Sequence, residues 1–333
     1  MKRKVLTLDL PEDDLPSNEQ TRKSCIESET TQLLDDHIKF TKEEIYIDAT
    51  GVQTQSKSII TQFKGNLEVL NVIGVGSSGQ VKKAQLKDSP SSLFALKSIN
   101  MLDRSNRRQL LNDIKNFIQI QNKCKFIVQF HGAYYEQGSV HMLLEYMDEG
   151  SLKDYIQIAS DQKQRISESE ILRIIFSVVH AIAYLHHVVH MIHLDIKPAN
   201  VLMHSTGQVK ISDFGISQQL NFTMEAKEQV AGSYLYMSPE RLSSLRYTSK
   251  ADIWSIGVIL LEMMAGSYPF GNNPKFIDLL EELKRVDHFI ESLIPKEEYS
   301  PELVSLVKAC LSSSPDKRPT AAEILINPIF ESV

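Results

Sequence analysis

Four short motifs lie in order along the middle of the chain and carry residue types that suit the binding and transfer of a phosphate group. Residues 74–81 read Gly-Val-Gly-Ser-Ser-Gly-Gln-Val, Lys97 ends an alternating apolar run, residues 193–200 read His-Leu-Asp-Ile-Lys-Pro-Ala-Asn, and residues 213–215 read Asp-Phe-Gly. Any one of these motifs could arise by chance. Because all four occur in this order and at these separations, the sequence indicates one phosphoryl-transfer site.

The glycine-rich motif suits phosphate because Gly74, Gly76 and Gly79 have no Cβ atom, so backbone N–H groups can approach phosphate oxygens closely. On its own, this spacing is also typical of an ordinary glycine turn. Lys97 favours the phosphate-binding interpretation. An unpaired ammonium group within an apolar strand would be costly, so Lys97 needs anionic partners such as phosphates and a carboxylate on a helix.

The four motifs resemble the signature of the eukaryotic protein kinase family, and the resemblance extends from about residue 63 to the C-terminus. Residues 238–240 stand where the family has Ala-Pro-Glu, and residues 252–257 match its central helix. Arg318 is expected to pair with Glu240, as the matching residues do in the family. The resemblance implies an α+β, bilobal protein kinase fold with a small β-rich N-lobe and a larger α-helical C-lobe.

The resemblance also implies residue roles and cofactors. Asp195 and Lys197 match the catalytic residues: Asp195 would accept or orient the hydroxyl group of the substrate, and Lys197 would hold the γ-phosphate. The implied cofactors are ATP and Mg²⁺, with Asn200 and Asp213 as metal ligands of the hard oxygen type that Mg²⁺ prefers. The residues expected at the nucleotide are Gly74, Val75, Gly76, Ser77, Ser78, Gly79, Val81, Ala95, Lys97, Asp113, Glu145, Met147 and Leu202.

The hydrophobic pattern predicts the elements that must position these residues. It favours strands from 67 to about 100, a helix over 106–121, and a mainly helical chain after residue 152, with the N-lobe at about 65–145 and the C-lobe at about 148–333. The later helices, the first of them capped by Ser151, are predicted at 152–159, 168–188, 249–265, 275–285, 301–312 and 320–326.

Within the family, the chain is most similar to the dual-specificity MAP kinase kinases. The segments that carry this similarity are 76–79, 146–152, 192–193, 197–202, 213–217 and 236–242. Members of this group phosphorylate both a threonine and a tyrosine on the activation loop of a MAP kinase, and the same function is expected here. Two alternatives stay open: a kinase of another cascade level, acting upstream of MAP kinase kinases, and a weakly active kinase-like scaffold that binds a MAP kinase without phosphorylating it.

Residues 2–8 are similar to the docking motif through which such kinases bind their MAP kinase. Lys2, Arg3 and Lys4 would face an acidic patch, and Leu6 and Leu8 would enter an apolar groove. A basic cluster at a chain terminus is often only a solvated tail, but the kinase resemblance favours docking.

The segment 218–233 corresponds to the activation segment, in which Thr223 is the best site for phosphorylation by an upstream MAP kinase kinase kinase. The family has a second phosphoacceptor at one of two spacings after the first. It has no counterpart here, because Gln229 stands at the longer spacing and Lys227 or Glu228 at the shorter. Glu225 and Glu228 could partly replace the missing charge, although a carboxylate carries less charge than a phosphate.

Two departures from the family pattern bear on regulation. Leu194 replaces the arginine of His-Arg-Asp, and leucine cannot pair with phosphate. Asp113 stands where the family has the helix glutamate that pairs with the strand lysine, here Lys97. Because aspartate is one methylene shorter, low basal activity is expected, and this motivates the scaffold alternative.

The composition indicates a soluble intracellular protein. A net charge of −6 over 333 residues disfavours a nucleic-acid partner, and the apolar run 256–264 contains Glu262 and is too short to span a membrane, so no membrane insertion is expected. Three widely spaced cysteines fit a reducing compartment, so the expected location is the cytoplasm, with the nucleus as a further location. Residues 1–64 are polar and predict a largely disordered arm.

Overall fold

A computed structural model of the chain describes residues 31–33, 37–40, 45–54, 58–60, 65–76, 79–101, 104–120, 122–214, 218–219, 233–271, 274–294 and 298–331. The chain divides into two compact units. The N-terminal unit comprises residues 1–111 and 129–146, and the C-terminal unit comprises residues 112–128 and 147–333.

The N-terminal unit begins with a five-stranded antiparallel meander, in which each strand pairs with the next one in sequence. Its strands are β1 (Thr31–Leu33), β2 (His37–Phe40), β3 (Ile45–Asp48), β4 (Gly51–Gln53) and β5 (Ser58–Ile60). The side chains of Ile38, Ile47 and Val52 are fully buried. The carboxylate of Asp48 accepts hydrogen bonds from the N–H groups of Thr50 (2.6 Å) and Gly51 (3.1 Å), which fixes the turn between β3 and β4.

A second antiparallel sheet follows, in the order β6-β7-β8-β10-β9. Its strands are β6 (Leu67–Gly76), β7 (Gly79–Leu86), β8 (Ser89–Asn100), β9 (Phe130–Glu136) and β10 (Ser139–Glu145). One face carries a cluster of buried side chains that includes Ala84, Phe94 and Leu96. Because side chains alternate along a strand, Ala95 and Lys97 lie on the opposite face.

The meander packs against this second sheet, since β2, β3, β4 and β5 all contact its edge strand β9. The prediction that residues 1–64 form a largely disordered arm is therefore wrong for the strands within 31–60. These strands are only three or four residues long and polar residues separate them in the sequence, so no sequence window shows sustained alternation. Residues 1–30 lie outside the described residues.

Nine α-helices occur in the described residues. They are α1 (Arg104–Ile120), α2 (Leu152–Asp161), α3 (Glu168–Tyr184), α4 (Pro239–Leu242), α5 (Lys250–Ala265), α6 (Phe276–Leu283), α7 (Ile290–Leu293), α8 (Pro301–Cys310) and α9 (Ala321–Leu325). The predicted helices are confirmed to within a few residues at their ends. Ser151 caps α2, and it forms a capping box with Asp154.

Helix α5 forms the core of the C-terminal unit. Fourteen of its sixteen residues are buried, including Trp254. Gly257 allows close approach of the chain that follows α8, because a Cβ atom at this position would lie 2.8 Å from the Leu311 Cγ atom. The helix is therefore a rigid base for the loops that cross it.

Four short strands form two pairs around those loops. They are β11 (Met191–Ile192), β12 (Val201–Met203), β13 (Val209–Ile211) and β14 (Gln218–Gln219). Strand β11 pairs with β14, and β12 pairs with β13. Residues 193–200, called the catalytic loop below, connect β11 to β12.

One helical segment corrects the expectation that no run reaches membrane-spanning length. Residues Glu168–Val189, which comprise α3 and a π-helical turn (Leu185–Val189), are long and apolar enough to cross a bilayer. However, 61% of its most apolar window is buried inside the protein, as is typical of the core helix of a globular domain.

Candidate active site

The glycine-rich motif forms the hairpin between β6 and β7, with Gly74 opposite Val81 and Gly76 opposite Gly79. Gly79 has a φ of +140°, and a Cβ atom there would clash with the carbonyl oxygen of Ser98, so this position requires glycine. Of the other predicted residues of the motif, the hairpin includes Val75, whereas Ser77 and Ser78 lie outside the described residues.

The predicted strand lysine lies in the middle of the same sheet. Lys97 stands opposite Val81 on β7 and Met142 on β10, so the side chains of all three project from one face, together with that of Ala95. The residue is only 5% exposed. A cation held at this depth is suited to anionic ligands, which agrees with its predicted role.

Three other residues were predicted to contact the nucleotide, and the structure gives each of them a different environment. Glu145 closes the end of β10: its N–H donates to the carbonyl of Gln129 (2.9 Å), and its carboxylate accepts from the N–H of Gln129 (3.0 Å). Its side chain thus has a structural hydrogen bond. In the C-terminal unit, Met147 is buried, and Leu202 lies on β12 opposite Lys210.

The catalytic loop brings its three predicted residues together around one carboxylate. The Nζ atom of Lys197 lies 3.0 and 2.8 Å from the two Asp195 carboxylate oxygens, and Asn200 Nδ2 donates to Asp195 Oδ2 at 2.9 Å. Asn200 Nδ2 also donates to the backbone carbonyl of Asp195 at 2.8 Å. These donors surround a partly exposed carboxylate, a group that can accept the proton of a hydroxyl group.

The two predicted metal ligands lie on neighbouring segments. The N–H of Ser212 donates to the Asn200 carbonyl at 2.9 Å, so Asp213 follows directly after a residue held to Asn200. Because Asp195 engages the amide nitrogen of Asn200, the amide oxygen is left for other ligands. Asp213 has a φ of +60°, a strained backbone that often marks functional sites. A carboxylate and an amide oxygen fit a hard divalent cation.

The phenylalanine of the Asp-Phe-Gly motif is fixed by packing. Phe214 is fully buried between the rings of Phe117 (5.3 Å between centroids) and His193 (5.1 Å). Its carbonyl accepts a hydrogen bond of 3.0 Å from Asn116 on α1. Asp113 lies one turn earlier on that helix and is 1% exposed. Its pairing with Lys97 stays a prediction.

His193 joins the catalytic loop to the segment that carries Asp213. Burial lowers the pKa of this imidazole, so the ring is neutral. A single tautomer then satisfies both neighbours: Nε2 donates to the carbonyl of Ser212 (3.2 Å), and Nδ1 accepts from the N–H of Asp195 (3.3 Å). The sequence motif located this histidine but did not show this bridge.

Asp252 on α5 holds the start of the catalytic loop. Its carboxylate accepts hydrogen bonds of 2.8 Å each from the N–H groups of His193 and Leu194 and from the ring of His186. Burial opposes ionisation, but the hydrogen bond from His186 and those from the backbone hold the pKa of Asp252 below its ordinary value. The sequence located Asp252 only as part of a helix motif, because its partners lie 58 to 66 residues away.

The segment before and within α4 is tied to the core. Arg318 donates to both carboxylate oxygens of Glu240, at 2.7 and 2.8 Å, which confirms the predicted pair. The guanidinium group also lies over the ring of Trp254 (4.9 Å). Just before α4, the hydroxyl of Tyr236 donates to the Glu262 carboxylate at 2.7 Å. The chain that follows the predicted activation segment is therefore anchored on α5 and on Arg318.

The remaining predicted residues lie outside the described residues. They are the regulatory Thr223 and the docking residues Lys2, Arg3, Lys4, Leu6 and Leu8. Their roles stay predictions.

Comparison with known protein families gives an independent result. The family model described as protein kinase domain matches residues 67–330. This range contains every predicted catalytic, nucleotide-binding and metal-binding residue, but it excludes the meander.

Several curated relatives are named as kinases of one cascade level. Mitogen-activated protein kinase kinase 2 of Arabidopsis thaliana is 34% identical over 269 residues, which cover 80% of this chain and 72% of that protein. Mitogen-activated protein kinase kinase 1c of Physcomitrium patens is 32% identical over 308 residues and is covered to 88%, as is this chain. Since residues 67–333 are only 267 of 333, this similarity reaches into the meander.

A third relative is longer. Mitogen-activated protein kinase kinase 3 of Arabidopsis thaliana is 37% identical over 266 residues, which cover 79% of this chain but only 49% of that relative. The chain therefore spans about half the length of this relative.

Proposed function

We propose that this chain, which belongs to the protein kinase family and within it to the MAP kinase kinases, transfers the γ-phosphate of ATP to a threonine and a tyrosine on the activation loop of a MAP kinase. The observation that carries the proposal is the catalytic loop, in which Lys197 and Asn200 surround the Asp195 carboxylate within 3.0 Å. The names of the relatives support the substrate class.

The chain's own residues divide the work of transfer. Asp195 orients the acceptor hydroxyl and takes its proton as the oxygen attacks the γ-phosphorus and the bond to ADP breaks. Lys197, which already contacts Asp195, neutralises negative charge that develops on the transferred group. Asn200 and Asp213 would hold a divalent cation, for which Mg²⁺ is proposed. When bound there, the cation would shield the negative charge of the ATP phosphates.

Hydrogen bonds within the protein fix this geometry. Asp252 and His193 hold the backbone on either side of Leu194, and Ser212 links Asn200 to the Asp213 segment. Such preorganisation lowers the barrier because no groups need to be reoriented during the reaction.

Recognition of the substrate and activation are assigned to segments outside the described residues. We propose that residues 2–8 bind an acidic patch and an apolar groove on the MAP kinase. We propose that an upstream MAP kinase kinase kinase phosphorylates Thr223. Because Lys2, Arg3 and Lys4 would face an acidic patch, the affinity of this docking segment should fall as the salt concentration rises.

The test is phosphate transfer from labelled ATP to a panel of kinase-dead MAP kinases, with the acceptor residues mapped by mass spectrometry and Asp195→Asn as the control. The proposal predicts labelling of both residues of a Thr-x-Tyr loop, lost in the control. Labelling of other kinases but no MAP kinase would identify an enzyme of another cascade level. Binding of a MAP kinase without transfer, even after upstream activation, would identify a scaffold.

A further inference from the structure

The structure assigns a positioning role to Arg241: its guanidinium group sets the orientation of the peptide bond that carries the catalytic Asp195. Arg241 Nη1 donates a hydrogen bond of 2.7 Å to the carbonyl oxygen of Leu194, the residue directly before Asp195. The inference rests on the proposed function only in that Asp195 serves catalysis, and it does not depend on which protein is the substrate.

The backbone at Leu194 is strained and held by side chains on every polar group. Leu194 has a φ of +67°, a conformation that residues with a Cβ atom rarely adopt. Its N–H donates to Asp252 at 2.8 Å, its carbonyl accepts from Arg241, and the next N–H donates to His193 Nδ1 at 3.3 Å. A strained peptide persists only when its surroundings determine it, so these three contacts fix the direction in which Asp195 projects.

The protein kinase family has a positively charged arginine at the position of Leu194, but the leucine side chain carries no charge. Leu194 is 4% exposed and packs in an apolar cluster with Ile192, Ala251 and Tyr247. The guanidinium that reaches this part of the loop therefore comes from a residue 47 positions later, and it acts on the backbone.

Arg241 is itself well placed to hold a fixed position. Its guanidinium lies 5.8 Å from the centre of the Tyr247 ring, which belongs to the same cluster as Leu194. It belongs to α4, next to Glu240, which is locked by the bidentate contact with Arg318. Arg241 thus couples α4 to the catalytic loop, so a displacement of α4 would turn the peptide before Asp195.

The experiment compares Arg241→Met and Arg241→Lys with a matched control, Arg246→Met, which changes an exposed arginine of the same segment. Two measurements are made on the full chain: the kinetics of Mg²⁺-dependent ATP hydrolysis, which give kcat and KM for ATP, and the exchange rate of backbone amides in residues 191–197. Neither measurement requires a MAP kinase, so failure of this inference is distinguishable from failure of the proposed substrate class.

Arg241→Met is expected to lower kcat by about 30-fold and change KM by less than about twofold, because misplacement of a catalytic group affects the chemical step. Amide exchange over residues 191–197 is expected to rise by about tenfold. Arg241→Lys restores a donor and should recover most of kcat. Arg246→Met should change neither the kinetic constants nor the exchange rate.

A double-mutant cycle separates positioning from general damage. In an Asp195→Asn background, Arg241→Met should lower the residual rate by less than about twofold, because a residue that acts through Asp195 has nothing left to position. An equal fractional loss in both backgrounds would overturn the inference, as would an unchanged kcat or unchanged amide exchange. If Arg241→Met does not fold, Arg241→Lys decides: a loss of kcat with unchanged amide exchange over residues 191–197 would also overturn the inference.

Discussion

The catalytic loop and the N-terminal meander are both built from short segments, but different forces hold them in place. The loop crosses the buried carboxylate of Asp252 and is held by hydrogen bonds between charged side chains and strained backbone. The meander has a core of aliphatic side chains, such as Ile38, Ile47 and Val52, and packs against strand β9.

The two regions should therefore tolerate different substitutions. Hydrogen bonds to a buried charge are directional, so exchange of a single oxygen for nitrogen should disturb the loop. Apolar packing responds to lost volume and hardly to direction, so the meander should change in stability while catalysis remains. Three substitutions, taken from the largest expected effect to the smallest, distinguish these two behaviours.

Among the three substitutions that compare the loop with the meander and the core, Asp252→Asn should have the largest effect. Asparagine keeps the shape but has one acceptor oxygen for three donors, and its amide nitrogen opposes an N–H group. The free energy of unfolding of the C-terminal unit should fall by about 3–5 kcal/mol, and the transfer rate by about 100-fold. Urea denaturation and initial rates measure the two effects. Asp278→Asn, at an exposed position on α6, is the control; equal behaviour of the two variants would refute the role of Asp252.

Ile47→Ala tests the other side of the contrast. Removal of this fully buried side chain from the meander should lower the free energy of unfolding of the N-terminal unit by about 3 kcal/mol, and Ile47→Val by about 1 kcal/mol. Below the unfolding temperature, kcat should stay within about twofold of the wild type. A loss of kcat without a loss of stability would show that the meander contributes to catalysis directly.

Glu262→Gln should have the smallest effect and a defined pH dependence. Burial raises the pKa of Glu262 above its ordinary value, although the hydrogen bond from Tyr236 opposes the shift. A raised pKa in the folded state means that the stabilising contribution is complete at low pH and is lost as pH rises through the folded-state pKa. Glutamine can still accept the bond from Tyr236.

The variant should therefore match the wild type below pH 4.5, the ordinary pKa of this carboxyl group, and be more stable at pH 8, by about 1 kcal/mol or less. Thermal unfolding at several pH values measures this difference. A variant that loses stability at pH 8 relative to the wild type would show that the ionised carboxylate is needed.

The residues of the catalytic loop could be predicted from the sequence because their roles depend on spacing within one short loop. Asp195, Lys197 and Asn200 lie within six residues, and their geometry follows from that spacing. The supporting contacts of Asp252 and Arg241 could not be predicted, because they arise where distant segments meet on α5 and α4. The meander was missed because three-residue strands gain their stability from packing on β9, which no local pattern records.

The central claim is that the carboxylate of Asp195, held by Lys197 and Asn200, carries phosphoryl transfer. The most direct test is the rate of phosphate transfer by Asp195→Asn, measured together with its affinity for Mg²⁺-ATP. Asp195→Asn should lower the transfer rate by about 1,000-fold and leave the nucleotide affinity unchanged, because the amide cannot accept the proton of the hydroxyl group. Transfer within about tenfold of the wild type would contradict the claim.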